Sequence, residues 1–287
     1  MALACAGQPH AEENGLVPYM AGVNIGIPAG AAPPPGFTLS DTTYYRPMRV
    51  MNGSGSPTPI NVSLLGTSLS AVWVPGWQVA SGNYFAFVKQ PFVWTTVEAP
   101  GSTERGSGNF NTIVSPGIVS WMVAPDLFVA TGLTFYLKDG TYSKTAPVEV
   151  GNNFWTFEPS AAISYLGYGL NLTALAIYDI DTENTATNYQ SGQVLSIDLT
   201  ATKRFGAWAF GAGGYVAQQV TNDKVNGMVV PATPLNSAGN RVNAIAIGPT
   251  AGYDFGPVEL FAYLTQDVQL KNTAGGTSFW LRLTARF

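Results

Sequence analysis

The sequence predicts an all-β fold: a transmembrane antiparallel β-barrel of about 12 strands, of the kind found in bacterial outer membranes. Three observations carry that expectation. In the segment 279–287, Phe279, Leu281, Leu283, Ala285 and Phe287 alternate with Trp280, Arg282, Thr284 and Arg286. Successive side chains of a strand point to opposite faces, so one face suits hydrocarbon and the other carries two guanidinium groups. Composition is the second observation. Charged residues make up only 10% of the 287, aromatic ones 12%, and mean hydropathy is a modest +0.13. No run of 18 apolar residues occurs, which excludes a membrane-spanning helix. The third is a rhythm of alternating short and long connections, as between the short turns and long loops on the two rims of a barrel.

The elements follow in order. Residues 1–11 resemble the tail of a secretory signal, with A-x-A spacing at Ala4-Cys5-Ala6, as in a truncated precursor. Cys5 is the single cysteine, which excludes an intramolecular disulfide and a cysteine-based metal cluster. Residues 12–36 end stiffly at Pro33-Pro34-Pro35-Gly36. The middle of that segment, from Gly15 to Ile27, is too apolar for a free tail. It is expected to fold into the lumen as a plug, or to cap the periplasmic mouth.

Residues 37–287 form the barrel. Alternation places strands at 37–48, 60–75, 79–97, 109–123, 127–138, 153–166, 168–181, 190–204, 206–220, 243–255, 257–270 and 277–287. Short links fall at Pro75-Gly76-Trp77, Ala124-Pro125-Asp126, Gly167, Phe205-Gly206 and Gly256-Pro257. Long ones are expected at 49–59, 98–108, 139–152, 182–189, 221–242 and 271–276. In the C-terminal half the lipid face reads as Trp155, Phe157, Ile163, Tyr165, Leu195, Ile197, Leu199, Ala201, Ile245, Ile247, Ala251, Tyr253, Phe255, Leu260, Ala262 and Leu264. In the first four strands the alternation is too irregular to assign faces. Trp73, Trp94, Trp121, Trp155 and Trp208 fall near strand ends, where an aromatic girdle would sit.

Catalysis fits poorly. The only histidine, His10, precedes the barrel, so no Ser-His-Asp arrangement can form in the wall. Glu158, Asp179, Asp198, Glu259 and Asp267 read as lumen charges paired with Arg282, Arg204 or Lys89. The Gly211-x-Gly213-Gly214 run lies inside a strand and leads to no helix, so it is no nucleotide fingerprint. No metal or cofactor motif occurs, and the net charge of −4 with no basic block speaks against nucleic acid.

The predicted lumen lining is Tyr136, Glu158, Asp198, Tyr215, Phe261, Tyr263, Trp280 and Arg282. Its aromatic character with few charges suits an apolar ligand. Pro91, Pro116, Pro159 and Pro249 each remove a ladder donor within a strand. They are candidates for a gap in the wall, through which an apolar solute could leave sideways into the bilayer, or for bulges that only adjust curvature.

Several segments resemble a known family: Glu13-Asn14-Gly15-Leu16, Pro33-Pro34-Pro35-Gly36, Asn153-Phe154-Trp155-Thr156-Phe157-Glu158-Pro159, Thr221-Asn222-Asp223-Lys224-Val225-Asn226-Gly227, Ile247-Gly248-Pro249 with Gly252-Tyr253-Asp254-Phe255-Gly256, and Phe279-Trp280-Leu281-Arg282-Leu283. Together they resemble the outer-membrane family named for the meta-pathway of phenol degradation, also called SphA-like, which includes CymD-type proteins. The resemblance implies a transporter of small hydrophobic, often monoaromatic, compounds, and assigns no catalytic or binding residue. The expected partners are the outer-membrane bilayer with its lipopolysaccharide, the apolar solute, and the barrel-assembly machinery through C-terminal Phe287. A monomer is expected. The alternative is a porin-like diffusion channel for small polar solutes.

Overall fold

The computed structural model describes residues 13, 17–231 and 241–287. Residues 1–11, with Cys5 and His10, and part of the long loop 221–242 lie outside the described residues. Twelve long strands form the wall: β1 (Gly36–Met51), β2 (Pro57–Val74), β3 (Gly82–Ala99), β4 (Ile113–Ala124), β5 (Leu127–Tyr136), β6 (Thr156–Tyr165), β7 (Leu170–Asp181), β8 (Val194–Phe205), β9 (Trp208–Gln219), β10 (Asn243–Asp254), β11 (Val258–Lys271) and β12 (Ala274–Arg286). Each pairs antiparallel with the next, and β12 pairs with β1 from Arg286↔Thr38 to Ala274↔Val50. The ring is closed. At the seam, Phe37 and Phe287 exchange backbone hydrogen bonds of 3.1 and 2.9 Å. Closure satisfies the edge groups that hydrocarbon cannot.

Alternation governs the wall as the sequence implies. Ile247, Leu199, Ile163, Phe279, Leu281 and Leu283 are exposed outward, while their strand neighbours Ala246, Thr200, Ser164, Trp280 and Arg282 are buried. In the first strands, Leu39, Leu65, Leu69 and Trp73 face out. Aromatic rings gather near the short turns: Phe37, Trp73, Trp77 and Tyr84 form one contiguous group, and Trp208, Phe210, Tyr253 and Phe255 another.

Three of the expected long loops are corrected. The 49–59 link shrinks to residues 52–56, and 271–276 to the turn at Asn272 and Thr273. The 98–108 link is a hairpin whose second arm, Ser102–Asn109, pairs with β3 from Ala99 back to Phe92. These stretches are rich in glycine and polar residues, as in Asn52-Gly53-Ser54-Gly55-Ser56 and Ser102-Thr103-Glu104-Arg105-Gly106-Ser107-Gly108, so the two-residue hydrophobic period that marks a strand disappears there. Asn272 and Gly101 have positive φ of 55° and 83°, which closes the tight turns. The loops after β5, β7 and β9 are long. A small sheet of Tyr189–Gln190, Lys224–Val225 and Met228–Val229 stands above the rim in two of them.

The core of this barrel is its interior, organised around residues 17–35. Ile25 packs with Tyr44, Val93, Val150, Phe261, Tyr263 and Trp280. Tyr19 packs with Ala162, Leu175 and Ile177, and Ala21 against Tyr215, Ala217, Ala244 and Ala246. A barrel of this width leaves more space than its own side chains fill, and the segment occupies part of it.

Candidate functional site: the barrel interior

Residues 17–35 run the length of the lumen. Ala32 N donates to Ser120 Oγ at 3.1 Å and Gly30 N to Ser164 Oγ at 2.9 Å, both near the short-turn rim. Gly26 N donates to Thr200 Oγ1 at 2.8 Å, and Tyr19 N to Asp179 Oδ2 at 3.3 Å, higher up. At the loop rim, Glu13 N donates to Ser191 Oγ at 3.2 Å, and both Glu13 carboxylate oxygens accept from Asn184 Nδ2 at 2.9 and 2.8 Å. Burial pushes the Glu13 carboxyl above the ordinary carboxylate range, and the hydrogen bonds from Thr187 and Asn184 partly offset it.

This segment makes turns, not a helix or strand, so its backbone groups must find partners in the wall. Asp198 accepts from Tyr19 Oη at 2.6 Å, Gly22 N at 2.8 Å and Asn24 N at 3.1 Å. Arg282 donates to the carbonyls of Val23 at 2.6 Å and Ile25 at 3.0 Å, and Tyr263 Oη to that of Gly22 at 3.0 Å. Gly22 and Gly26 sit at φ of 93° and 90°, which few other residues tolerate. The Gly211-x-Gly213-Gly214 run has a structural use: a Cβ on Gly213 would overlap the Ile25 side chain, which is fully buried there.

The rest of the lumen is open. A cavity of about 1510 Å³ lies between the segment and the wall, lined by β1–β5 and also by residues of the later strands such as Glu158, Leu175, Tyr215 and Arg282. Met20, Val23, Leu64, Phe85, Phe87 and Val93 line its middle, with Lys89 and Glu158 among them. Of the predicted lining residues, all eight are buried in the interior. Tyr136, Glu158, Tyr215, Phe261 and Arg282 line the cavity. Asp198, Tyr263 and Trp280 are instead covered, Asp198 by the segment and the Tyr263 and Trp280 rings by stacking at 5.4 Å and packing on Ile25.

The expected charge pairing forms for Glu259 and Arg204 and needs correction elsewhere. Glu259 pairs with Arg204 at 3.2 Å and Arg286 at 3.0 Å, and Arg204 also with Asp254 at 3.1 Å. Asp198 instead takes backbone and hydroxyl donors of the segment, Asp267 takes Tyr215 Oη at 2.5 Å and Gly276 N at 2.8 Å, and Arg282 takes carbonyls. Inside the lumen the segment's unpaired peptide groups are the nearer partners, and a sequence pattern cannot foresee them.

All four candidate prolines sit at interruptions of pairing. Pro116 lies at a bulge where register shifts against both neighbours. Beside Pro159 the β6–β7 pairing passes from Phe157↔Ile180 to Ser160↔Ile177, and beside Pro249 the β10–β11 pairing passes from Ile247↔Gln266 to Thr250↔Tyr263. At Pro91, β3 changes partner from Ile113 to Asn109. Among these four, Pro91 alone borders the cavity. The break beside it keeps a backbone bond, Phe110 N to Pro91 O at 3.0 Å, and is otherwise stitched by side chains: Gln90 Nε2 donates to Phe110 O at 2.9 Å, and Thr112 Oγ1 lies 2.7 Å from Gln90 Oε1 and 2.6 Å from Asp139 Oδ2. The sequence reading missed Gln90, Thr112, Asn24 and Ser164. Only their inward phase, where assignable, pointed to them.

A family model described as "Putative MetA-pathway of phenol degradation" matches residues 48–283. The crystal structure of the COG4313 outer membrane channel from Pseudomonas putida F1 superposes with a TM-score of 0.76 at 13% identity, covering 90% of this chain and 98% of that one. The translocator domain of the autotransporter NalP from Neisseria meningitidis gives 0.51 at 9% identity, over 90% and 91%. The CymD monoaromatic hydrocarbon channel gives 0.44 at 13% identity, over 88% and 89%. No curated protein matches the sequence. The fold is that of an outer-membrane β-barrel.

Proposed function

The chain belongs to the putative MetA-pathway of phenol degradation family, and on that premise we propose that it is an outer-membrane channel for small hydrophobic, monoaromatic compounds. One observation carries the reading: an open cavity of about 1510 Å³ follows the inner segment and is walled mainly by Met20, Val23, Leu64, Phe85, Phe87 and Val93. Burying apolar surface against such a wall contributes roughly 25 cal/mol per Å², so a solute of benzene's size binds weakly and exchanges fast. A conduit needs that balance. The chain does not act as an enzyme in this reading. Its interior side chains hold the segment and shape a path.

Residues 17–35 act as the plug and residues 37–287 as the barrel. The solute enters from the long loops and leaves sideways through the wall beside Pro91. The side-chain stitching of Gln90, Thr112 and Asp139 supports that route, since such bonds open more readily than a ladder. The exposed faces of β1–β12 contact lipid and lipopolysaccharide. The closed ring needs no partner strand, consistent with a monomer, and the exposed Phe287 ring is available to the barrel-assembly machinery.

Two measurements on the full chain test the reading. Cells that carry it should take up labelled toluene faster than cells that lack it. In planar bilayers it should pass only a small ionic current. A large, steady current without toluene uptake would instead establish a diffusion porin for polar solutes.

A further inference from the structure

The loop between β5 and β6 folds back over the lumen. Its residues 144–150 line the cavity, and Val150 packs into the same cluster as Ile25. The base of this loop is fixed. Thr141 N donates to Asn109 O at 2.8 Å, Gly151 N to Thr141 O at 2.9 Å, and Asn152 N to Asn111 Oδ1 at 2.7 Å. The base lies so close to the Ser102–Asn109 arm that a Cβ on Gly108 would overlap the Thr141 side chain. The tip is held differently, by side chains that join it to the β7–β8 loop. Lys144 Nζ donates to Ala186 O at 2.7 Å, and Asn184 Nδ2 to Tyr142 Oη at 3.2 Å. A fixed base under a tip tied by side-chain bonds is the construction of a lid. Asn184 has a second duty. It is fully buried, and the same Nδ2 donates to both Glu13 carboxylate oxygens at 2.9 and 2.8 Å. Its Oδ1 accepts from Ala186 N at 3.0 Å and from Asn153 Nδ2 at 2.8 Å. The amide has two N–H bonds for three acceptors. One side chain therefore joins the lid tip to the upper end of the inner segment.

We propose that the β5–β6 loop is the lid of the outer mouth and that Asn184 couples it to the inner segment, so that the entrance and the segment's upper end open together. The inference rests on the channel reading and adds how the path is kept shut. A buried amide is costly to leave without an acceptor. If Glu13 leaves, water must reach Asn184 to replace it, and that water enters by loosening the lid. If the lid lifts, the pocket that holds the Glu13 carboxylate is opened to water in turn. The coupling is reciprocal by linkage. A solute that wedges the lid open thereby loosens the segment below it, and a seated segment keeps the lid down.

Hydrogen exchange on the full chain in vesicles tests the coupling. Glu13→Ala should speed exchange at the lid amide of Ala146, which donates to Ser143 O, by about tenfold, the scale of one lost hydrogen bond to a charged group. Lys144→Met should do the same to the Glu13 amide, which donates to Ser191 Oγ. In an Asn184→Leu background neither substitution should be felt on the other side. Unchanged exchange at the amides of β10 and heat-modifiable mobility on gels verify that each variant is folded. Exchange that speeds only on the side of the substitution overturns the coupling. Cross-effects that survive in the leucine background overturn the role of Asn184. The lid has its own test. Linking Lys144→Cys to Ala186→Cys with a short reducible bridge should stop toluene uptake, and reduction should restore it. Uptake that persists after complete linking overturns the lid. Absence of uptake in the unlinked chain overturns the channel reading, and the coupling then stands or falls on hydrogen exchange alone.

Discussion

Arg282 is bonded to the backbone of Val23, not to a carboxylate: Nη2 donates to the Val23 carbonyl at 2.6 Å while Nη1 reaches that of Ile25 at 3.0 Å. Asp198 holds the neighbouring amides of Gly22 and Asn24 at 2.8 and 3.1 Å. The inner segment is thus gripped by a cation on its carbonyls and an anion on its N–H groups.

Arg282→Met removes the donor, leaves the Ile25 carbonyl without a partner and the Val23 carbonyl with only Tyr263 Oη at 3.3 Å, at about 1–3 kcal/mol for the orphaned group. The segment should loosen, and single-channel conductance in planar bilayers should rise above the wild-type value. Arg282→Lys should fall between the two. An unchanged current in the methionine variant would show that the segment does not limit the path.

Gly213→Val tests the same segment by shape. The new side chain would occupy the space of Ile25. Overpacking of this kind costs about 1–3 kcal/mol. Ile25→Ala should relieve the clash, so the double variant should be closer to wild-type in heat stability than Gly213→Val alone.

Glu13 makes the upper anchor pH-dependent. Its carboxyl is raised above the ordinary range by burial, so the anchored state favours the protonated form relative to a released, solvated Glu13. The contribution is fully present below the ordinary carboxylate value and is lost as pH rises through the raised one. Hydrogen exchange at the Glu13 amide, which donates to Ser191, should therefore become less protected, after correction for intrinsic rates, as pH rises across that window. Glu13→Gln should remove the dependence.

The stitched break beside Pro91 predicts a controllable exit. Linking Gln90→Cys to Thr112→Cys with a short thiol-reactive bridge should stop toluene uptake, and reduction should restore it. Uptake that persists after complete linking would place the exit elsewhere.

The outer face gives a stability prediction. Ile247 is 57% exposed on β10, beside the buried Ala246. Ile247→Arg should destabilise the barrel in lipid by about 2–4 kcal/mol if that position lies near the bilayer midplane. Urea unfolding in vesicles measures it. In detergent the cost should shrink.

The sequence alone determined the strand-built wall and which side of it meets lipid in the C-terminal half, because alternation is a local property of adjacent residues such as Leu281 and Arg282. It also placed Tyr215, Phe261 and Arg282 inside. It misjudged the 49–59, 98–108 and 271–276 links, where glycine and polar residues replace the apolar ones and the alternation fades. Only the tertiary structure decided what those inward residues touch. Asp198 and Arg282 read as members of a set of paired lumen charges, yet each is satisfied by peptide groups of a segment more than 170 positions away in the chain. Periodicity reports the direction of a side chain; its partner depends on how the ring closes and where the inner segment lies, and both are long-range outcomes of packing.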